Sequence, residues 1–164
     1  MFYDPKVIKY PRNKVTGVPS QEDLLKIMDE VPSYRYIAIC DYLNEIIRSG
    51  ERIDIESFED KYYSHPVDSS TQTHYLTSYL FLAYYYYEHN LHPLKAMDYL
   101  HLAMLEKSSY DSAKALLAEF YIEGFGTLQN FDKAKEIIME ARKEIESWPY
   151  TIEIFPLSVF KMEL

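Results

Sequence analysis

Four residues near the middle of the chain have the types that metal and acid–base chemistry use: Glu88, His89, His92 and His101. Imidazoles and carboxylates hold zinc or manganese when they converge, and on one helix they converge at i, i+4. His89 and His92 instead flank the turn Asn90-Leu91-His92-Pro93, which interrupts the helix and removes that spacing. Solvated turn histidines account for them. Asp98 and His101 stand at i, i+3, as an acid–base pair would, but no nucleophile or oxyanion donor can be named beside them. Gly124 and Gly126 invite a phosphate-loop reading. Such a loop needs a longer glycine-rich turn and a lysine at the helix start, so the pair is read as helix-stop and turn residues at positive φ. Cys40 lies in the apolar run Tyr36-Ile37-Ala38-Ile39-Cys40, where a buried, inert thiol is expected rather than a nucleophile. A small metal-dependent or acid–base enzyme using His89, His92, Asp98 and His101 is therefore the alternative. The first reading is a protein without catalytic residues, metal or cofactor.

The elements that would position these residues follow from composition and spacing. At 164 residues with 48% hydrophobic, the chain can bury one continuous core and is not of disordered composition. Four glycines argue against an α/β fold with glycine-rich phosphate loops. A net charge of −9 repels phosphate backbones, so nucleic acid is a poor partner. The same field speeds encounter with a basic protein, and it also simply keeps a protein soluble. A lone cysteine forms no intramolecular disulfide and fits a reducing compartment. The first fourteen residues carry prolines and charges where a signal peptide needs an apolar stretch. The longest apolar run, Tyr79 to Tyr87, is too short to span a bilayer. The expectation is a cytoplasmic protein that does not enter membranes.

Residues 1–19, with Pro5, Pro11, Pro19 and Gly17, read as an extended arm whose first fourteen residues carry a local net of +3. From residue 20 to 164 the pattern is helical. Ser20 with Asp23 opens a short helix that Pro32 ends, and Ser33 is expected to cap a second, to about Ser49, with Ile37, Cys40, Ile46 and Ile47 on one face. Gly50 stops it. A third helix is predicted from about Asp54 to Tyr63, closed by His65-Pro66. Ser69 with Gln72 opens a helix to about Glu88, and Pro93 sits in the first turn of the next, to about Lys107. Ser108 with Asp111 caps a helix to about Ile122, and Asn130 caps one to about Ser147. Trp148-Pro149 begins an apolar tail, so residues 147–164 are expected to cap the fold.

Internal periodicity is the strongest signal. Ala96, Leu100 and Ala103 recur 38 residues later as Ala134, Ile138 and Ala141, and Leu82-Ala83 with Tyr86 matches Leu117-Ala118 with Tyr121. Two helices approach closely only where small side chains face each other and a large one fills the gap a turn away. The series Ala113, Leu117, Ala118, Tyr121, Gly124, Gly126, Asn130, Lys133, Ala134 and Ala141 resembles a Sel-one-like repeat, a relative of the tetratricopeptide repeat. Thr127 stands where that family usually has valine, and Asn130 where it has aspartate. Residues 73–107 lack the Gly-x-Gly pair and resemble a degenerate tetratricopeptide unit, and residues 20–68 hold degenerate helices. The resemblance covers residues 73–146 and implies an all-α fold, a short α-solenoid of stacked antiparallel helix pairs that scaffolds protein contacts.

On that arrangement the partner-binding residues can be nominated. The run Tyr84-Tyr85-Tyr86-Tyr87 covers every face of its helix, so it cannot all be core. Tyr86 takes the packing slot, while Leu80, Tyr84 and Tyr87 are expected to face the concave side, where tyrosine offers rigid contact area with a polar tip. Glu51, Asp54, Glu56, Glu59 and Asp60 form the densest acidic patch, and Glu119 on a later helix joins the set. The expected function is a protein-binding module for a basic partner. A small, acidic, stand-alone binder of this kind suits an inhibitor or immunity protein that neutralises a basic toxin or nuclease.

Overall fold

The computed structural model describes residues 19–64 and 72–145. Among these, every regular element is helical: α1 (Gln21–Glu30), a 3-10 turn (Pro32–Tyr34), α2 (Arg35–Ser49), α3 (Ile55–Tyr63), α4 (Gln72–Glu88), α5 (Pro93–Ala103), α6 (Lys107–Glu123) and α7 (Phe131–Ile145). The all-α expectation holds. The arm up to residue 18, the His65-Pro66 stop, the Ser69 cap and the tail from residue 146 lie outside the described residues. The chain forms two compact units, Met1–Ser78 and Tyr79–Leu164, with the boundary inside α4.

In the first unit the Ser20 hydroxyl accepts from the Asp23 N–H at 3.2 Å, so the cap read from the sequence is made. Ser33 does not cap α2. Pro32 starts a 3-10 turn that carries the chain to Tyr34, and α2 opens at Arg35 with no side-chain cap. Its buried face is Tyr36, Ala38, Ile39, Tyr42, Leu43 and Ile46, so Ile37, Cys40 and Ile47 are only half-buried, contrary to expectation. Ala38, Ile39, Leu43 and Ile46 take the deepest positions, a stripe offset from the one expected, and Tyr36 and Tyr42 flank it. Tyr42 stacks on Phe58 with ring centroids 5.8 Å apart, and the Tyr36 hydroxyl donates to the Tyr62 carbonyl at 2.5 Å. A tyrosine can be core when its hydroxyl finds an acceptor. The Cys40 thiol points at the His74 carbonyl at 3.8 Å, and burial pushes its pKa up, which suits an inert thiol. Gly50 ends α2 at φ +74°, and Asp54 caps α3 by accepting from the Ser57 N–H at 3.1 Å.

In the second unit α5 packs on α6, and α6 on α7. Two boundaries differ from expectation. Helix α5 stops at Ala103 rather than Lys107, and Lys107 instead begins α6, ahead of Ser108. Ser108 therefore does not cap the new helix, whose cap residue Glu106 makes no side-chain cap hydrogen bond. Ser109 is buried and its hydroxyl donates to the Ala103 carbonyl at 2.7 Å, closing the end of α5, while Asp111 is buried at 6% exposure. Asn130 does cap α7, its side-chain oxygen accepting from the Lys133 N–H at 3.0 Å.

The ends of α4 and α6 share one construction. Past α4, Asn90 takes φ +53° and the Leu91 N–H donates to the Tyr86 carbonyl at 2.8 Å. Past α6, Gly124 takes φ +68° and the Phe125 N–H donates to the Phe120 carbonyl at 2.9 Å. Both are six-to-one closures around a left-handed residue. They place Tyr86 in register with Phe120, not with Tyr121. Tyr86 and Phe120 have no exposed surface, whereas Tyr121 is half-buried. The first helices of the two hairpins therefore repeat every 34 residues, and Leu82 answers Leu116. Helices α5 and α7 begin 38 residues apart because the second loop is longer. His92 at φ +38° and Gly126 at φ +70° keep the 34-residue register in the loops. Ala96 and Ala134, and Leu100 and Ile138, are buried alike on α5 and α7, as the sequence match expects. The Ala141 side chain lies outside the described residues, and the α4 and α6 stripes fall one residue out of the sequence match.

Candidate partner-binding face

The nominated residues fall in both units, and burial sorts them. In the first unit Glu51, Asp54, Glu56 and Asp60 are exposed on and before α3, but Glu59 is buried at 7% exposure. Asp54 spends its carboxylate on the Ser57 N–H and hydroxyl, which hold it below the usual carboxylate range. Glu51 accepts from the Gln21 side chain at 3.3 Å. This patch contains ordinary helix-start acids that suit the positive end of a dipole.

In the second unit Leu80 is buried at 3% exposure and is not presented on the surface, contrary to its assignment beside Tyr84 and Tyr87. Of the tyrosine run, Tyr85 and Tyr86 are core at 1% and 0% exposure. Tyr86 stacks with Tyr99 at 5.8 Å. Tyr84 and Tyr87 are half-buried. The Tyr87 ring lies 5.3 Å from both Phe120 and Phe125, and its hydroxyl donates to the Glu119 carboxylate at 3.0 Å. Glu119 is itself buried, so α6 holds a carboxylate at the edge of the core and α4 supplies its donor. The charge of Glu88, the last residue of α4, acts on the Tyr84 hydroxyl. Glu123, the last residue of α6, acts on Tyr87 as well.

Tyr87 and Glu119 thus pair between α4 and α6, and the charges of Glu88 and Glu123 act on these tyrosines from the helix ends. Glu88 and Glu123 are both exposed. Neither was nominated for partner binding from the sequence, although a signal was present. Each helix ends on an acid with no base in its last turn, against the preference for cations at a negative dipole end. The apolar periodicity that located the helices is blind to that reversal.

Tyrosine ionisation reports on these surroundings. Burial first, then Glu88 and Glu119, push Tyr84 up to about 12, and burial with the Glu119 charge pushes Tyr87 up further. In the first unit burial, then Tyr75, push Tyr36 up to about 12. In the unfolded chain these phenols titrate near about 10. A folded pKa raised above the unfolded one contributes stability below pH ~10 that is lost as pH climbs toward ~12. Alkaline titration followed at 295 nm and by circular dichroism should therefore show these tyrosinates appearing together with loss of helix. Tyrosinate absorbance reaching its full amplitude near pH 10 with helix intact would contradict these environments.

The residues of the enzymatic alternative are engaged differently. The His89 ring lies 4.3 Å from Tyr85, and His92 meets Tyr86 edge-on at 5.7 Å. Asp98 and His101 are exposed on α5. Among the described residues no three of His, Cys, Asp and Glu converge as a metal would require. No helix among them is long and apolar enough to cross a membrane. Comparison with protein-family models, curated proteins and solved structures found no match to this chain.

Proposed function

We propose that this chain is a non-catalytic, cytoplasmic protein-binding module. Its helix pairs stack as a short α-solenoid of the Sel-one-like kind, and its partner is a basic protein. The observation that carries the reading is the Tyr84–Tyr87–Glu119 arrangement. Two half-buried rings stand at the closing turns of α4 and α6, and that of Tyr87 is fixed from behind by Phe120, Phe125 and a buried carboxylate. Rigid aromatic side chains backed by core are the anchors that dominate protein interfaces. The matching closures of α4 and α6, in a 34-residue register, support the repeat assignment. A net charge of −9 supports a basic partner, and an inhibitor or immunity protein acting on a basic toxin or nuclease fits that charge and this size.

Affinity capture at low salt, with the full chain and its Tyr84→Ala/Tyr87→Ala variant as parallel baits, tests this. The wild type should retain a basic protein that the double variant loses, at a cost of ~2 kcal/mol or more for each anchor. A partner held equally by both baits would move the binding surface elsewhere, and capture of only acidic proteins would remove the charge argument.

A further inference from the structure

The loops of the second unit carry large apolar side chains that its own core does not use. Gly126, in the α6–α7 loop, approaches the first turn of α5 so closely that an added Cβ would stand 2.5 Å from the Pro93 carbonyl oxygen. This contact brings Leu94, the next residue of α5, beside a loop that holds Leu128 and leads to Phe131 at the start of α7. Leu94 is 74% exposed, Leu128 88% and Phe131 50%. Single exposed apolar residues are normal, but three large ones on segments that touch make a patch, and such patches mark interaction surfaces.

Leu128 is not carried on a loose loop. The Gln129 side chain donates to the Ile122 carbonyl at 2.8 Å, and the Asn130 N–H donates to the Tyr121 carbonyl at 2.9 Å. Asn130 also caps α7. Gln129 and Asn130 thus make the loop's internal hydrogen bonds, while the leucine before them is held toward solvent on an ordered backbone. A fixed apolar knob loses little further entropy when it docks.

Local charge decides what docks. Helix α5 holds Lys95 and Asp98, and the stretch from Gly124 to Ile138 holds Asp132, Lys133, Lys135 and Glu136. These segments are neutral in a chain of net charge −9, so the acidic excess lies elsewhere. A basic partner gains little from such a face. A second copy of the chain, repelled by the acidic remainder, meets the least repulsion there. Asp132 and Lys133 are also exposed side by side next to Phe131. In a two-fold contact such a pair answers itself, acid to base in both directions. We infer that this loop end is a self-association surface, on which two copies of the chain pack Leu94, Leu128 and Phe131 of one protomer against those of the other.

The inference does not rest on the basic-partner reading and is tested apart from it. Sedimentation equilibrium of the full chain, at up to about 100 µM because a small patch supports only a weak dimer, should show the mass rise from 19.5 kDa toward twice that value. Leu94→Ser/Leu128→Ser should raise the dissociation constant about tenfold or more. Leu105→Ser/Met139→Ser removes side chains that are 70% and 60% exposed at other positions, and should leave it within about twofold. All four side chains are exposed, so circular dichroism should be unchanged in both variants. Added salt screens the repulsion between two acidic copies, so self-association should tighten, whereas capture of a basic partner weakens. Benzoylphenylalanine in place of Phe131 identifies the occupant by photocrosslinking. Crosslinks between copies that map to α5 or to the α6–α7 loop support the surface. Crosslinks within one chain to residues 146–164 would assign the patch to the chain's own tail and overturn it. A monomer at every concentration, equal loss from both variant pairs, or a dimer that weakens with salt would overturn it too. None of these outcomes bears on capture through Tyr84 and Tyr87, so the two readings fail separately.

Discussion

Gly126→Ala should lower the stability of the second unit by about 3 kcal/mol or more, far beyond what removing a glycine usually costs. Two effects combine. Gly126 sits at φ +70°, where an L side chain costs roughly 1–2 kcal/mol. A Cβ there would also stand 2.5 Å from the Pro93 carbonyl oxygen and 3.4 Å from the Met97 Cβ. The nearest obstacle is backbone at the first turn of α5, so relief requires α5 and the α6–α7 loop to separate. Gly50→Ala isolates the first effect. Gly50 has φ +74° with nothing within 4 Å of the added carbon, so its cost should stay near the ~1–2 kcal/mol of the dihedral alone. Urea midpoints of the two variants measure the difference. Equal losses would show that the loop yields to the methyl group and that its approach to α5 is not a constraint.

Phe120→Ala should cost about 3–5 kcal/mol, the range for emptying a fully buried aromatic site. The ring has no exposed surface and contacts Phe125 at 5.0 Å and Tyr87 at 5.3 Å. The loss would reach the proposed binding face, because Phe120 backs the ring whose hydroxyl donates to Glu119. Amide exchange should therefore quicken at the closing turns of both α4 and α6. Phe131→Ala is the contrast. That ring is 50% exposed at the start of α7, and its loss should fall within about 0.5 kcal/mol. A Phe120→Ala midpoint indistinguishable from that of Phe131→Ala would place the core of this unit elsewhere.

Helix type and order were legible in the residues themselves, because short-range chemistry decides them. Ser20, Asp54 and Asn130 cap the helices they precede, Pro93 occupies a first turn, and Gly50 and Gly124 take the left-handed conformation that ends α2 and α6. Each involves groups within a few residues of one another, so no distant contact can overrule it cheaply. The Ala96/Ala134 and Leu100/Ile138 stripes were legible for the same reason, since a helix converts spacing directly into a face.

Depth was not legible, because it depends on what the rest of the chain brings up to each face. Four consecutive tyrosines are equivalent by type. Only the packing of the assembled helices buries Tyr85 and Tyr86 and leaves Tyr84 and Tyr87 half-covered. Glu59, Leu80 and Glu119 looked like surface candidates and are buried, while the buried face of α2 runs through Ala38, Ile39, Leu43 and Ile46 rather than through Ile37 and Ile47. The α4–α6 register was set one residue out for a related reason. Leu-Ala-x-x-Tyr matches letter for letter only at Leu117–Tyr121, whereas the structural register, set by which carbonyl closes the helix end and which ring is sealed beneath it, pairs it with Leu116-Leu117-x-x-Phe120. Caps and turns are local free-energy choices that a sequence carries on its face. Burial is a property of the assembled helices, and it exists only once they have met.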